Sequence, residues 1–217
     1  MLTIAFEKTQ NSVFVAHTDI LRSLNRTFRR AGINVGYSKG FNRHMSLKLT
    51  QPLPFGVASK EEWVTADTDF ADADLALRLF NENCPPSLKA SRAFVVKTNP
   101  NLGGKVVASD YKLYSPEAIN HKEEIINAFN NLEIGKKGSP EEKINATHLI
   151  YKADVDEEGI YVLSAFGNKN VRMDMVAAHL NALFNLDIEV TDIIRLTQYV
   201  ETDGKLISAE EYVRSLI

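Results

Sequence analysis

Cysteine is almost missing from this 217-residue chain, with Cys84 the only one. No internal disulfide can form, and no thiolate cage for zinc or an iron–sulfur cluster can be assembled from this chain alone. Long apolar runs are missing too. No stretch approaches the roughly 20 residues that a membrane-crossing helix needs, so no membrane contact is expected. The opening MLTIAFEK has no basic lead and reaches Glu7 too soon for a secretory signal, and a cytoplasmic location is the expectation. The phosphate-loop spacings G-x-x-x-x-G-K-[ST] and G-x-G-x-x-G are absent, because Gly104-Lys105 is followed by Val106. No cofactor and no metal is expected. What is present, 44% apolar and 24% charged residues, is ordinary globular material and excludes wholesale disorder.

Acidic residues are scarce at one end. Residues 1–59 hold eight Lys and Arg against Glu7 and Asp19, a balance of +6, whereas the remainder has 17 bases and 26 acids, a balance of −9. The segment GYSKGFNRHMSLKLTQPLPFG, residues 36–56, contains no acid at all. Such asymmetry points to a polyanion-facing end and a solvated or protein-facing end.

Hydrophobic periodicity divides the chain into two similar runs. Leu2–Thr9 alternates as a strand, and Ile20, Leu21, Leu24 and Phe28 make the apolar stripe of a helix that ends at Ala31-Gly32. Ser46–Thr50 and Glu62–Thr68 read as strands, Asp72–Asn83 as a helix and Leu88–Lys97 as a strand, and NPNLGG at 99–104 reads as a linker. The order then repeats: strand Val106–Tyr114, helix Pro116–Leu132, a turn-rich IGKKGSPEEK, a hairpin of Ile144–Val155 and Ile160–Phe166, helix Val171–Phe184 and strand Ile188–Val200. A short helix with a Ser-x-x-Glu cap follows at Ser208–Ile217. The expected fold is α+β: two tandem ferredoxin-like βαββαβ units with antiparallel sheets and a short C-terminal helix. Residues 1–100 would form the basic domain and 101–217 the acidic one.

The candidate chemistry lies in the basic end. Arg22, Arg26, Arg29 and Arg30 fall at i, i+4, i+7 and i+8 and share one helix face, with Ile20, Leu24 and Phe28 on a neighbouring stripe. Lys39, Arg43 and Lys48 follow in the loop, interleaved with Tyr37 and Phe41. Arginine matches phosphate through its planar fork of donors, and exposed aromatics stack on unpaired bases. The plainer alternative is a solvated basic face paired with the acidic remainder. His17 and His44, with Tyr37, are candidates for metal-independent acid–base cleavage of RNA.

These residues carry a resemblance. Phe14, Ala16, His17, Asp19 and Arg22, then Arg29-Arg30-Ala31, Tyr37-Ser38, Gly40-Phe41-Asn42 and His44, then Pro52-Leu53, Gly56, Ser59 and Glu62 resemble the signature of the radical-SAM-linked conserved hypothetical family. The chain departs from that pattern at Ala16, where Ser is usual, and at Arg43 and Met45, where prolines are usual. DIIRLTQYV, with Arg195 and Gln198, is similar to the family's closing strand. The resemblance implies a domain of unknown function acting with a radical SAM partner; the tandem fold also looks like that of CRISPR repeat-processing endoribonucleases, a likeness of fold only. The functional expectation is an RNA-binding protein that assists RNA or ribosome modification or processing together with a radical SAM protein. Its alternatives are a metal-independent ribonuclease, and a protein–protein adaptor of a radical SAM enzyme without RNA contact.

Overall fold

The computed structural model of the chain describes residues 1–136, 139–167 and 170–217. Strand β1 (Leu2–Lys8) and a 3-10 turn (Gln10–Phe14) precede helix α1 (His17–Arg30), strands β2 (Leu47–Leu49) and β3 (Ala58–Ala66), helix α2 (Ala73–Asn83), strand β4 (Ala90–Val95) and the one-turn helix α3 (Leu102–Lys105). Next come β5 (Val106–Tyr114), α4 (Lys122–Phe129), β6 (Glu133–Lys136), β7 (Ser139–Asn145), β8 (Ile150–Asp156), β9 (Gly159–Ala165), α5 (Met173–Phe184) and β10 (Ile193–Thr202). Strand β11 (Lys205–Ser208) and helix α6 (Ala209–Arg214) follow.

Strand pairing overturns the expectation of two tandem ferredoxin-like antiparallel units. Hydrogen-bonded neighbours run β4-β1-β3-β10-β5-β9-β8, with β2 on β3 and β11 on β10, so nine strands belong to one mixed α/β sheet; β6 and β7 pair separately. The ten-residue β10 is the physical reason. An edge strand presents unpaired N–H and C=O groups that seek a neighbour, and β10 has strands on both sides. The compact units are Met1–Val106 with Tyr199–Ile217, and Val107–Gln198.

In the first unit, β1 lies between β3 and β4, all antiparallel, with Ile4 opposite both Val64 and Ala93. Leu2, Ile4, Phe6, Val64 and Ala66 form one face of the sheet and bury against Ile20, Leu24 and Phe28 of α1 and Ala76 and Phe80 of α2. The Phe28 and Phe80 rings meet edge-on at 5.7 Å between centroids. The Asp72 carboxylate caps α2 by accepting from the Leu75 N–H at 2.9 Å. On the opposite face Trp63 donates its Nε1–H to Glu61 at 3.0 Å, and Arg92, beside it across Ala5, bridges Glu61 at 2.7 Å and Glu210 of α6. The Arg214 guanidinium lies over the Phe94 ring at 4.9 Å, and Ser208 caps α6 by accepting from the Glu211 N–H at 3.1 Å. The terminal segment is thereby fastened to this unit by charge and ring contacts as well as by β11.

In the second unit β5 pairs with β9 and β9 with β8, and Ile125 and Phe129 of α4 are buried. The acidic run Asp154–Glu158 includes the β8–β9 turn, where Asp156 accepts from the Glu158 and Gly159 N–H groups and from Lys112. Gly159 has φ +143°, and a Cβ there would stand 2.1 Å from the Leu113 carbonyl oxygen, so no side chain fits. The expected strand Ile144–Val155 is broken by a 3-10 turn at Thr147–Leu149, where the Thr147 hydroxyl accepts from the Leu132 N–H. The stretch read as a turn at IGKKGSPEEK supplies β6 and β7 instead; its Lys137 and Gly138 lie outside the described residues. Among the described residues no helix is long and apolar enough to cross a membrane.

One departure from the family-like signature has a structural consequence. Ala16 is the N-cap of α1, with extended backbone and no side chain to accept from the first-turn N–H groups. Ala16→Ser is expected to raise stability by about 1 kcal/mol, read as a higher urea midpoint with unchanged slope; no shift, or a lower midpoint, would contradict this account of the helix start.

Candidate nucleic-acid interface

Helix α1 sets the geometry. Successive residues turn by about 100°, so Arg22, Arg26, Arg29 and Arg30 lie within roughly a 100° arc, and all four are exposed. Ile20, Leu24 and Phe28 are buried, and they lie on the opposite side of the helix rather than on the neighbouring stripe expected. Arg22 is tied to Asp19 at 2.7 Å in an exposed pair. Among the described residues Arg26, Arg29, Arg30, Lys39, Arg43 and Lys48 have no carboxylate partner.

The loop that follows is a small hairpin. Tyr37 and Met45 bridge antiparallel, the Ser46 N–H donates to the Gly36 carbonyl at 2.8 Å, and the Ser38 N–H donates to the His44 carbonyl at 2.8 Å. Side chains close the same ring: the His44 N–H donates to Ser38 Oγ at 3.1 Å, and His44 Nδ1 lies 3.1 Å from that oxygen. Lys39, Gly40, Phe41, Asn42 and Arg43 form the exposed tip, with Gly40 at φ +137° and Phe41 fully exposed. Arg29 donates to the Tyr37 hydroxyl at 3.2 Å, fastening hairpin to helix.

The structure therefore brings together Arg26, Arg29, Arg30 and Tyr37, with Lys39, Phe41 and Arg43 at the tip of the same hairpin. Lys48 is elsewhere. Leu47 and Leu49 pair with Ala66 and Val64 and pack against the α1–α2 core, which turns Lys48 to the other face of the sheet. Arg195 and Gln198 are fully buried on β10, Arg195 over the Phe166 ring at 4.9 Å.

His17 does not join His44. It is the first residue of α1, on the sheet-facing side with Leu24 and Phe28, and lines a narrow cleft with Lys8 and Glu62 among Phe6, Ile20, Leu49, Pro52 and Leu53. The cleft holds about 20 Å³, room for one water. Glu62 pairs with Phe6 and so points to the helix side of the sheet, and a bulge between Phe6 and Lys8 re-aims the lysine. Lys8 and Glu62 are buried at 7% and 8% exposure. The signature residues included His17 and Glu62 but gave no sign that the two meet, and Lys8 showed only as a charge inside an apolar strand pattern. Burial pushes the His17 imidazole below its ordinary value, Glu62 opposes that shift, and Lys8 adds to it. Cys84, at the end of α2, is half-buried and its thiol is pushed up by burial, the opposite of what a reactive cysteine needs. Among the described residues no group of three His, Cys, Asp or Glu side chains could hold a metal ion.

The chain belongs to the DUF2344 family, described as an uncharacterized protein conserved in bacteria, whose profile matches residues 1–173. That span includes α1, the hairpin and the His17 cleft. No curated protein matches the chain.

The lowered affinity of His17 for its proton makes stability depend on pH. As pH falls the unfolded chain takes up this proton first, so His17's contribution to stability is complete above the ordinary histidine value and is lost as pH falls through the lower folded value. An NMR titration is expected to give His17 a midpoint below that of a free histidine, and a lower one still in Glu62→Gln, where the opposing carboxylate charge is gone. A midpoint at or above the free value would contradict this description of the cleft.

Proposed function

We propose that this chain binds RNA through the outward face of α1 and the 37–45 hairpin, and presents it to a partner that modifies or processes it. The observation that carries this reading is the row Arg26, Arg29 and Arg30, without a carboxylate partner among the described residues, beside a hairpin tip bearing Lys39, Arg43 and an exposed Phe41. Arginines at i and i+4 repel by about 0.2–0.5 kcal/mol per pair, and among the described residues no carboxylate pairs with Arg26 or Arg30 to relieve them. Phosphates would. Tyr37 and Phe41 add the stacking surfaces that unpaired bases use.

The resemblance of the signature residues supplies the partner. A radical SAM protein would bring the cluster that a chain with one cysteine cannot hold. Binding is favoured over metal-independent cleavage because His17 and His44 share neither a contact nor a cleft. Binding is favoured over a protein–protein adaptor role because the exposed aromatics sit among cations, the combination that reads both base and phosphate.

Affinity for a structured RNA is expected to fall steeply with salt, each phosphate contact adding about 0.7–0.9 to the slope of log K against log salt. Arg26→Glu with Arg30→Glu is expected to reduce that slope by roughly 1.5, and Arg22→Gln, already paired with Asp19, to reduce it less. Salt-independent binding, an unchanged slope in the double variant, or no binding would overturn the proposal.

A further inference from the structure

The end of α1 builds a concavity that the charge argument does not require. At Gly32, φ +68°, the Ile33 N–H donates to the Phe28 carbonyl at 3.1 Å and the Gly32 N–H to the Arg29 carbonyl at 3.2 Å, a Schellman turn. The turn sends the chain back past its own helix, so that Ile33 and Val35 meet Met45 of the hairpin stem. Together with Arg29, Asn34 and Tyr37 they line an open depression of about 250 Å³. This is below the roughly 300–1,000 Å³ of sites for drug-sized ligands, and suits a single ring system.

We infer that this depression seats one unpaired nucleobase, so that the RNA recognised is single-stranded or bulged rather than a continuous duplex; the inference rests on the RNA reading above. The lining matches that occupant group by group. Ile33, Val35 and Met45 offer an apolar floor. The Tyr37 ring, half-exposed, is held at its hydroxyl by Arg29 and supplies a fixed stacking surface. The exposed Asn34 side chain makes no hydrogen bond within the described residues, which leaves its donor and acceptor for a base edge. No carboxylate lines the depression, so an organic cation is not the ligand it fits. An aromatic side chain of a protein partner would fill the floor but leave Arg29, and Arg26 and Arg30 beyond it, without counter-charge; a nucleotide brings ring and phosphate together. A base stacked within a duplex cannot enter, because its faces are already covered.

The test uses two RNA duplexes, one carrying a single bulged 2-aminopurine and the other fully paired throughout. The bulged RNA is expected to bind more tightly, with a change in 2-aminopurine fluorescence on binding. Tyr37→Ala is expected to weaken it roughly 5- to 100-fold and to weaken the paired RNA markedly less, and Tyr37→Phe, which keeps the ring, is expected to retain most of the affinity. Equal binding of the two RNAs, unaltered fluorescence, or indifference to Tyr37→Ala overturns the base seat even where the salt slope persists, and the RNA-binding face then stands without it. Binding of neither RNA overturns both.

Discussion

Helix α1 has only one way to lie on its sheet, and most of what this molecule offers to a partner follows from that. Leu24 and Phe28 are fully buried and Ile20 nearly so, and burial of such side chains contributes about 1.5–3 kcal/mol each. The repulsion among arginines on the opposite side amounts to a few tenths of a kcal/mol per pair, far too little to rotate the helix. The sheet therefore holds the guanidinium row outward whether or not an anion is present. A basic face made this way is preorganised, with its cost already offset by the core.

Two further devices extend the face. The Schellman turn at Gly32 brings the chain back beside α1, and the Arg29–Tyr37 hydrogen bond ties the hairpin to the helix. The aromatic and cationic residues of the hairpin thus stand next to the arginines instead of trailing from a free loop. On the sheet-facing side of the same helix, His17 meets Lys8 and Glu62 in a cleft of different character, narrow and mixed in charge. One helix separates an exposed cationic face from the side on which His17, itself exposed, stands beside the buried Lys8 and Glu62.

Local periodicity made most of the first unit legible. The apolar spacing of Ile20, Leu24 and Phe28 marked α1, and its arginine spacing marked the exposed row. The alternation Leu47, Lys48, Leu49 already implied that Lys48 points away from the core, yet grouping by charge placed it with the hairpin. Pairing was not legible. Nothing within Ile193–Thr202 says that β10 lies between β3 and β5, because lateral neighbours are chosen by long-range packing and not by local pattern. The β6–β7 pair was hidden because Gly135 and Pro140 read as turn residues. The meeting of Lys8 and Glu62 with His17 was invisible for a related reason: a bulge and a cross-strand register bring them together, and neither leaves a mark in the sequence.

The central claim is that polyanion contact is confined to this outward face. Ultraviolet cross-linking of the protein to RNA, with the linked peptides read by mass spectrometry, tests it most directly. The account expects adducts within residues 26–45, concentrated at Tyr37 and Phe41. Adducts lying mainly elsewhere on the chain, or none above those of an unrelated acidic protein, would contradict it.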